Sequence, residues 1–313
     1  RRKVTCMTKD NIMKITDGLF HKVFDEVRAE YPDIESDHQI IDIGAARLAA
    51  QPERFDVIVT LNLYGDILSD IAAQIAGSVG LAGSANIGEE MAMFEAVHGS
   101  APDIAGRGIA NPSGLLTAAT QMLVHLGHAA IAETIANAWL TTLEDGIHTA
   151  DIYREGLDRS EVSTEHFTDA IIERLGKKPR ILAPVHYNPT GVRVSIQPAR
   201  LSVKTLEGVD VFLHWDDANR DPNALGRALE ALHGDGLTLK MITNRGVKVY
   251  PEGLPETYCT DHWRCRFTAQ EAIAYESVLA LLGRIHAAGL DVIKTENLYA
   301  FDGQRGYSLG QGE

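Results

Sequence analysis

Two aspartates, Asp66 and Asp70, lie four positions apart in NLYGDILSD (62–70), directly after the apolar run FDVIVTLNL (55–63). On a helix, residues i and i+4 face the same way with Cβ atoms about 5–6 Å apart, and two carboxylates so placed repel unless something positive sits between them. Hard divalent cations take carboxylate oxygen. A helix that starts directly after a strand sets its first turn at the carboxyl edge of a sheet, where α/β proteins hold ligands. The alternative is structural, with Asp66 as an N-cap and Asp70 as a solvated helix residue. These residues alone leave both readings open.

The elements that would position them follow from hydrophobic periodicity. A strand is expected over 4–8, a helix over 11–29, a strand over 39–43 and a helix through AARLAAQP. The β-branched run 55–63 reads as a strand covered on both faces, followed by a helix over 66–75. Strands alternating with helices imply βαβ units and a layered α/β domain. GSVGLAGSANIG (77–88) is too glycine-rich for regular structure and reads as a connection. MAMFEAV (91–97) reads as a short strand, and HGSAPDIAGRGIANP (98–112) as a long loop. Helices are expected over 115–127, 129–144 and 164–175. The proline- and base-rich segment KKPRILAPVHYNPTGVRVSIQPAR contains the expected linker, 181–200. Beyond it, strand 209–214, helix 222–233, strands 237–242, 247–250 and 262–267, helix 269–288 and strand 291–298 suit a small α+β domain. Its type would be the ferredoxin-like split βαβ.

The chain has 313 residues, enough for more than one domain. A formal net charge of −14 argues against nucleic acid or an anionic membrane as partner, and no stretch approaches the roughly 18 apolar residues of a membrane span. Three scattered cysteines suit a reducing, cytoplasmic setting better than a disulfide framework. The opening RRKVTCMT reads as a strand entered in mid-fold, so a preceding segment is expected.

Read together, TKDNIMK (8–14), HQIID (38–42), NLYGDILSD and VHGSAPDIAG (97–106) resemble, in order and spacing, the β-decarboxylating dehydrogenases. This is the family of isocitrate and 3-isopropylmalate dehydrogenases, and the resemblance covers residues 1 to about 180. It implies that family's layered α/β fold, present here in part: a dimer-facing portion at 1–77 and a cofactor-binding portion at 78–180. NIMK looks like the isocitrate enzymes. The extension 201–313, with KMITNRGVKVYP, is similar to that of a bacterial, Thermus-type isocitrate dehydrogenase.

By this resemblance Asp66 and Asp70 match Mg²⁺/Mn²⁺ ligands, and Asp42 a third ligand given by the neighbouring subunit of a homodimer. Lys9 matches the catalytic lysine, also given across the dimer, and Asn11 an asparagine near nicotinamide and substrate. Glu95 matches an acidic residue at the nicotinamide end. There is no GxGxxG fingerprint; the family holds its dinucleotide in a loop, here through His98, Gly99, Ala101, Asp103, Ile104 and Asn111. Asp103 and Ile104 stand where NADP enzymes of the family carry lysine and tyrosine. A carboxylate there would accept the free ribose hydroxyls of NAD and repel a 2′-phosphate, so NAD is the expected cofactor.

The implied reaction is oxidative decarboxylation of isocitrate to 2-oxoglutarate. A divalent metal eases loss of the hydroxyl proton and stabilises the charge left as CO₂ departs, and a lysine beside the metal suits proton transfer near neutral pH. The rival substrates are 3-isopropylmalate and homoisocitrate, because the family's substrate clamp lies in the preceding segment. A non-catalytic regulatory subunit is the alternative of another class, although such subunits often lose a metal aspartate or the lysine. For the extension, a subunit-contact module supporting a dimer or higher oligomer competes with a regulatory domain.

Overall fold

The computed structural model describes residues 2–188, 194–195, 198, 200–254 and 256–310. The chain divides into two compact units, Arg1–Pro198 and Ala199–Glu313.

The first unit begins as β1 (Lys3–Thr8), α1 (Thr16–Arg28), β2 (Glu35–Ile40), α2 (Ile41–Ala50), β3 (Val57–Thr60) and α3 (Asn62–Ala76). β1 is central in a parallel three-stranded sheet, in register with β2 from Lys3↔Glu35 to Thr8↔Ile40 and with β3 from Val4↔Val57 to Met7↔Thr60. The buried Met7 packs with Leu48 of α2 and Leu68 of α3, which hold both helices on the sheet. Gly44 lets α2 approach this closely, since a Cβ there would stand 2.7 Å from the Met7 sulfur. Burying each such side chain stabilises the unit by about 1.5–3 kcal/mol.

Several boundaries differ from expectation. The first helix starts at Thr16 rather than near 11, because the amides of Ile12 and Met13 both donate to the Lys9 carbonyl and close a separate turn. The second helix starts at Ile41, so Asp42 lies in its first turn instead of at a strand end. β3 spans only four residues and is an edge strand of its sheet. All of NLYGDILSD is helical with Leu61 as N-cap, which removes the N-cap reading of Asp66.

Glycine content misleads in the next segment. β4 (Gly83–Ile87) lies inside the expected connection and pairs antiparallel with β5 (Ala92–Ala96), from Gly83↔Ala96 to Ile87↔Ala92. A Cβ on Gly83 would come within 2.5 Å of the Ala118 amide nitrogen, and one on Gly114 within 2.8 Å of the Ala82 carbonyl oxygen. These glycines therefore serve the close approach of α4 (Ser113–His125) to the hairpin. α5 (Ala129–Glu144), the short parallel pair β6 (Ile147–His148) and β7 (Ser160–Glu161), and α6 (Thr164–Ile172) complete the unit around Ala138, Phe167 and Ile171.

The start of the expected linker is bound to this unit. The Glu144 carboxylate accepts the amides of Arg180, Ile181 and Leu182, and Asn137 bonds both backbone groups of Val185. Residues 189–193, 196–197 and 199 of the linker expectation lie outside the described residues.

The second unit comprises β8 (Lys204–His214), α7 (Pro222–Glu230), β9 (Thr238–Asn244), β10 (Val247–Tyr250), β11 (His262–Thr268), α8 (Tyr275–Ala287), β12 (Asp291–Phe301) and β13 (Gln304–Arg305). Its antiparallel sheet has the order β10-β9-β11-β8-β12-β13, the split βαβ arrangement with a hairpin at each edge. α8 begins at Tyr275, not 269, because the amides of Ala269 and Ile273 donate to Glu207 and Leu206. It ends in a Schellman pattern: Gly289 has φ 76°, its amide donates to His286, and the Leu290 amide donates to Ile285.

Candidate active site

All three parallel strands of the first sheet end on one edge, and chemistry-bearing residues follow each end at once. Lys9 follows β1 by one residue, Asp42 follows β2 by two, and α3, which carries Asp66 and Asp70, begins two residues after β3. The carboxyl edge of a parallel sheet is where α/β proteins place ligands.

Lys9 Nζ and Asp42 Oδ2 pair at 2.8 Å, and the other Asp42 oxygen accepts the Ile43 amide at 2.9 Å. The Lys9 bond first, and the Ile43 amide second, hold the Asp42 carboxyl below its ordinary range. The N-terminus of α2 favours the same anion. Asp66 and Asp70 are exposed, and among the described residues neither carboxylate has an ion-pair partner in its own chain. Asn11 is also exposed, in the turn after Lys9.

Asp17 was not foreseen. It is 3 % exposed and its carboxylate accepts the Lys9 amide at 2.7 Å, fixing the backbone that carries the Lys9 side chain. Partial burial and then this same carboxylate push the Tyr64 phenol above its ordinary value, so Asp17 also neighbours the first turn of α3. The available signal was an aspartate in the first turn of an amphipathic helix that lacks a capping side chain at Ile15.

The 98–112 loop encloses a cavity of about 470 Å³. His98, Gly99, Ala101, Ile104 and Asn111 line it, so five of the six expected cofactor residues converge there. Ala101 has φ 43°, a left-handed conformation that costs a non-glycine residue roughly 1–2 kcal/mol and here tightens the loop. His98 is exposed, with Nδ1 2.9 Å from the Gly99 carbonyl. Asn111 is buried: its amide donates to Asp151 at 3.1 Å and its oxygen accepts the Ser113 amide at 3.0 Å. Glu95 lies on the adjacent β5, exposed, 3.4 Å from the Asn86 amide nitrogen. Asp103 stands outside the lining, exposed to solvent.

Residues 1–171 match the family described as isocitrate/isopropylmalate dehydrogenase. The chain belongs to that family. Residues 204–313 match the family described as bacterial isocitrate dehydrogenase, C-terminal domain. It is 50% identical to "Isocitrate dehydrogenase [NADP]" of Rickettsia bellii over 323 residues, covering 100% of this chain and 66% of that protein. The crystal structure of the TT0538 protein from Thermus thermophilus superposes with a TM-score of 0.84 at 44% identity, over 100% of this chain and 63% of that one. A 3-isopropylmalate dehydrogenase of Archaeoglobus fulgidus is 48% identical over 152 residues, 49% of this chain and 47% of its own. The chain thus spans about two thirds of the length of the curated relatives it matches along its whole extent.

The NAD expectation is overturned. The relatives that match the chain along its whole length carry NADP in their names. That expectation required the Asp103 carboxylate to face the bound nucleotide. Asp103 is exposed and does not line the cavity, so the geometry gives no support to a carboxylate facing the nucleotide.

Proposed function

We propose that the full-length protein oxidatively decarboxylates isocitrate with NADP and Mg²⁺ or Mn²⁺, as a homodimer with shared active sites. The observation that carries this is the common sheet edge, which gathers a lysine, an aspartate and the helix bearing two further aspartates. Asp42, Asp66 and Asp70 are hard oxygen donors suited to such an ion, and the last two are exposed with no ion-pair partner among the described residues of their own chain. When bound, the dication supplies Lewis-acid polarisation of the substrate oxygens.

The chain's own residues do the rest. Lys9, anchored through its amide to buried Asp17, presents an ammonium that transfers a proton at the carbon or oxygen of the substrate. Lys9 and Asp42 lie 2.8 Å apart, so both groups would reach a neighbouring subunit's site together. His98 and Ile104 flank the nucleotide cavity, and Asn111 holds the loop to α4 through the Ser113 amide.

Isocitrate is favoured over 3-isopropylmalate because the match to the isopropylmalate enzyme covers only about half the chain, whereas the isocitrate match includes the extension. The three cysteines are free and buried, in keeping with a reducing cytoplasm, and no helix among the described residues is long and apolar enough to cross a membrane. The test is an assay of the full-length protein with isocitrate or 3-isopropylmalate, NADP⁺ or NAD⁺, with and without Mg²⁺. Turnover with isocitrate and NADP⁺ that needs Mg²⁺ supports the reading; turnover of 3-isopropylmalate instead ends it.

A further inference from the structure

Beside the sheet edge, three side chains from separate segments meet without a role in the proposed reaction. Asp10 follows β1, His21 lies on α1 and His38 on β2. His21 Nδ1 is 2.7 Å from Asp10 Oδ2, His38 Nε2 is 3.9 Å from the same oxygen, and one ligand atom of each residue lies within 4.8 Å of the others. The two imidazoles stack at 3.6 Å with an angle of 17° between their planes, which aligns their edges.

We propose that Asp10, His21 and His38 form a binding site for a borderline transition-metal dication, of which zinc is the type. Two imidazoles and one carboxylate select such ions over Mg²⁺, which prefers an all-oxygen shell. At bond lengths of about 2.0–2.1 Å, ligand atoms of a tetrahedral site lie roughly 3.4 Å apart. The 2.7 Å and 3.9 Å separations bracket that value, so a small rotation of each ring admits the ion. The remaining ring nitrogen of His21 faces Asp25 at 3.7 Å, the outer carboxylate that orients many metal-bound histidines. His38 Nε2 is 2.8 Å from Thr8 Oγ1, a hydrogen bond that ligation through this nitrogen would replace.

Burial first, and the neighbouring His21 second, shift His38 below its ordinary value. Partial burial raises Asp10, but the His21 bond and the His38 ring outweigh it and leave a net lowering, so the carboxylate is ionised. Because the three ligands come from the turn after β1, from α1 and from β2, a bound ion would clamp α1 to the sheet beside Lys9. The site shares no residue with Asp42, Asp66 and Asp70.

The test titrates the full-length protein with Co²⁺ in excess Mg²⁺ and follows visible absorption, with imidazole NMR signals read during a parallel Zn²⁺ titration. The expected result is one equivalent of Co²⁺ with an intense visible band, Zn²⁺ shifts centred on His21 and His38, and affinity weaker in His21→Gln and His38→Gln by more than the roughly 10–100-fold that loss of an outer-shell partner costs. Asp66→Asn should leave the band unchanged. Absence of stoichiometric Co²⁺ binding by the unsubstituted protein overturns the proposal whatever the variants do. So does a band that persists in the His21→Gln/His38→Gln double variant, or Zn²⁺ shifts that avoid these two rings.

Discussion

Lys9 and Asp42, 33 residues apart in sequence, meet as an ion pair of 2.8 Å at the carboxyl edge of a three-stranded parallel sheet. Each follows its own strand by one or two residues, so the register Thr8↔Ile40 between β1 and β2 is what brings them together. A slip by one residue would turn the strand's side chains to the other face.

Replacing Lys9 with methionine keeps most of the stem and removes the ammonium. The expected outcome is a fall in kcat of about 10²–10⁴-fold, the usual contribution of a proton-transferring group, with far-UV circular dichroism unchanged. Asp17→Asn should lower kcat less, about 10-fold, because it loosens only the backbone that carries Lys9. Equal losses in the two variants would place Asp17 in the chemistry itself.

Gly83→Ala forces a methyl group to within 2.5 Å of backbone in α4, which no side-chain rotation relieves. Urea denaturation should show a loss of about 1–3 kcal/mol, the usual cost of overpacking. An unchanged midpoint would mean that β4 and α4 are packed less closely than described.

In the second unit, Asp210 is fully buried and receives both Arg266, at 2.8 and 2.9 Å, and Arg264, at 2.8 Å. Removing one partner of a buried ion pair leaves an uncompensated charge and costs about 3–5 kcal/mol. Asp210→Ala should therefore be strongly destabilising in a denaturant series, while Asp210→Ala/Arg266→Met should recover part of the loss.

Burial, followed by the nearby Asp25 and Asp10 charges, pushes the Cys6 thiol from 9.0 up to about 12. Below the unfolded value both states hold the proton and this contribution is intact. As pH rises from about 9 toward about 12, only the unfolded state releases it, so native stability falls. Relative to Cys6→Ala, the natural protein should lose about 1.4 kcal/mol between about pH 8 and about pH 10. A constant difference across that interval would show that the thiol titrates normally.

The sequence made the broad architecture and the site legible for different reasons. Strands and helices were readable where apolar periodicity was strong, as in KVTCMT or the helix 129–144, and the βαβ order then placed Asp66 after a strand. The four motifs brought in Lys9 and Asp42, which local periodicity alone would have left as solvated strand-end charges. Gly83 was misread because glycine marks close backbone approach as well as turns. Asp17 was missed because its importance lies in a hydrogen bond to a backbone amide eight residues away. The Asp103 expectation rested on residue type, and residue type does not fix which way a loop presents its side chain.

The most direct test of the central claim mixes two full-length variants, Lys9→Met and Asp66→Asn/Asp70→Asn, each inactive alone. If the edge of one subunit lends Lys9 and Asp42 to a dication held by Asp66 and Asp70 of the other, unfolding and refolding the mixture together restores isocitrate-dependent, Mg²⁺-dependent reduction of NADP⁺ through dimers with one intact site. No regain of activity in refolded mixtures whose mixed dimers are verified by mass would contradict the shared site.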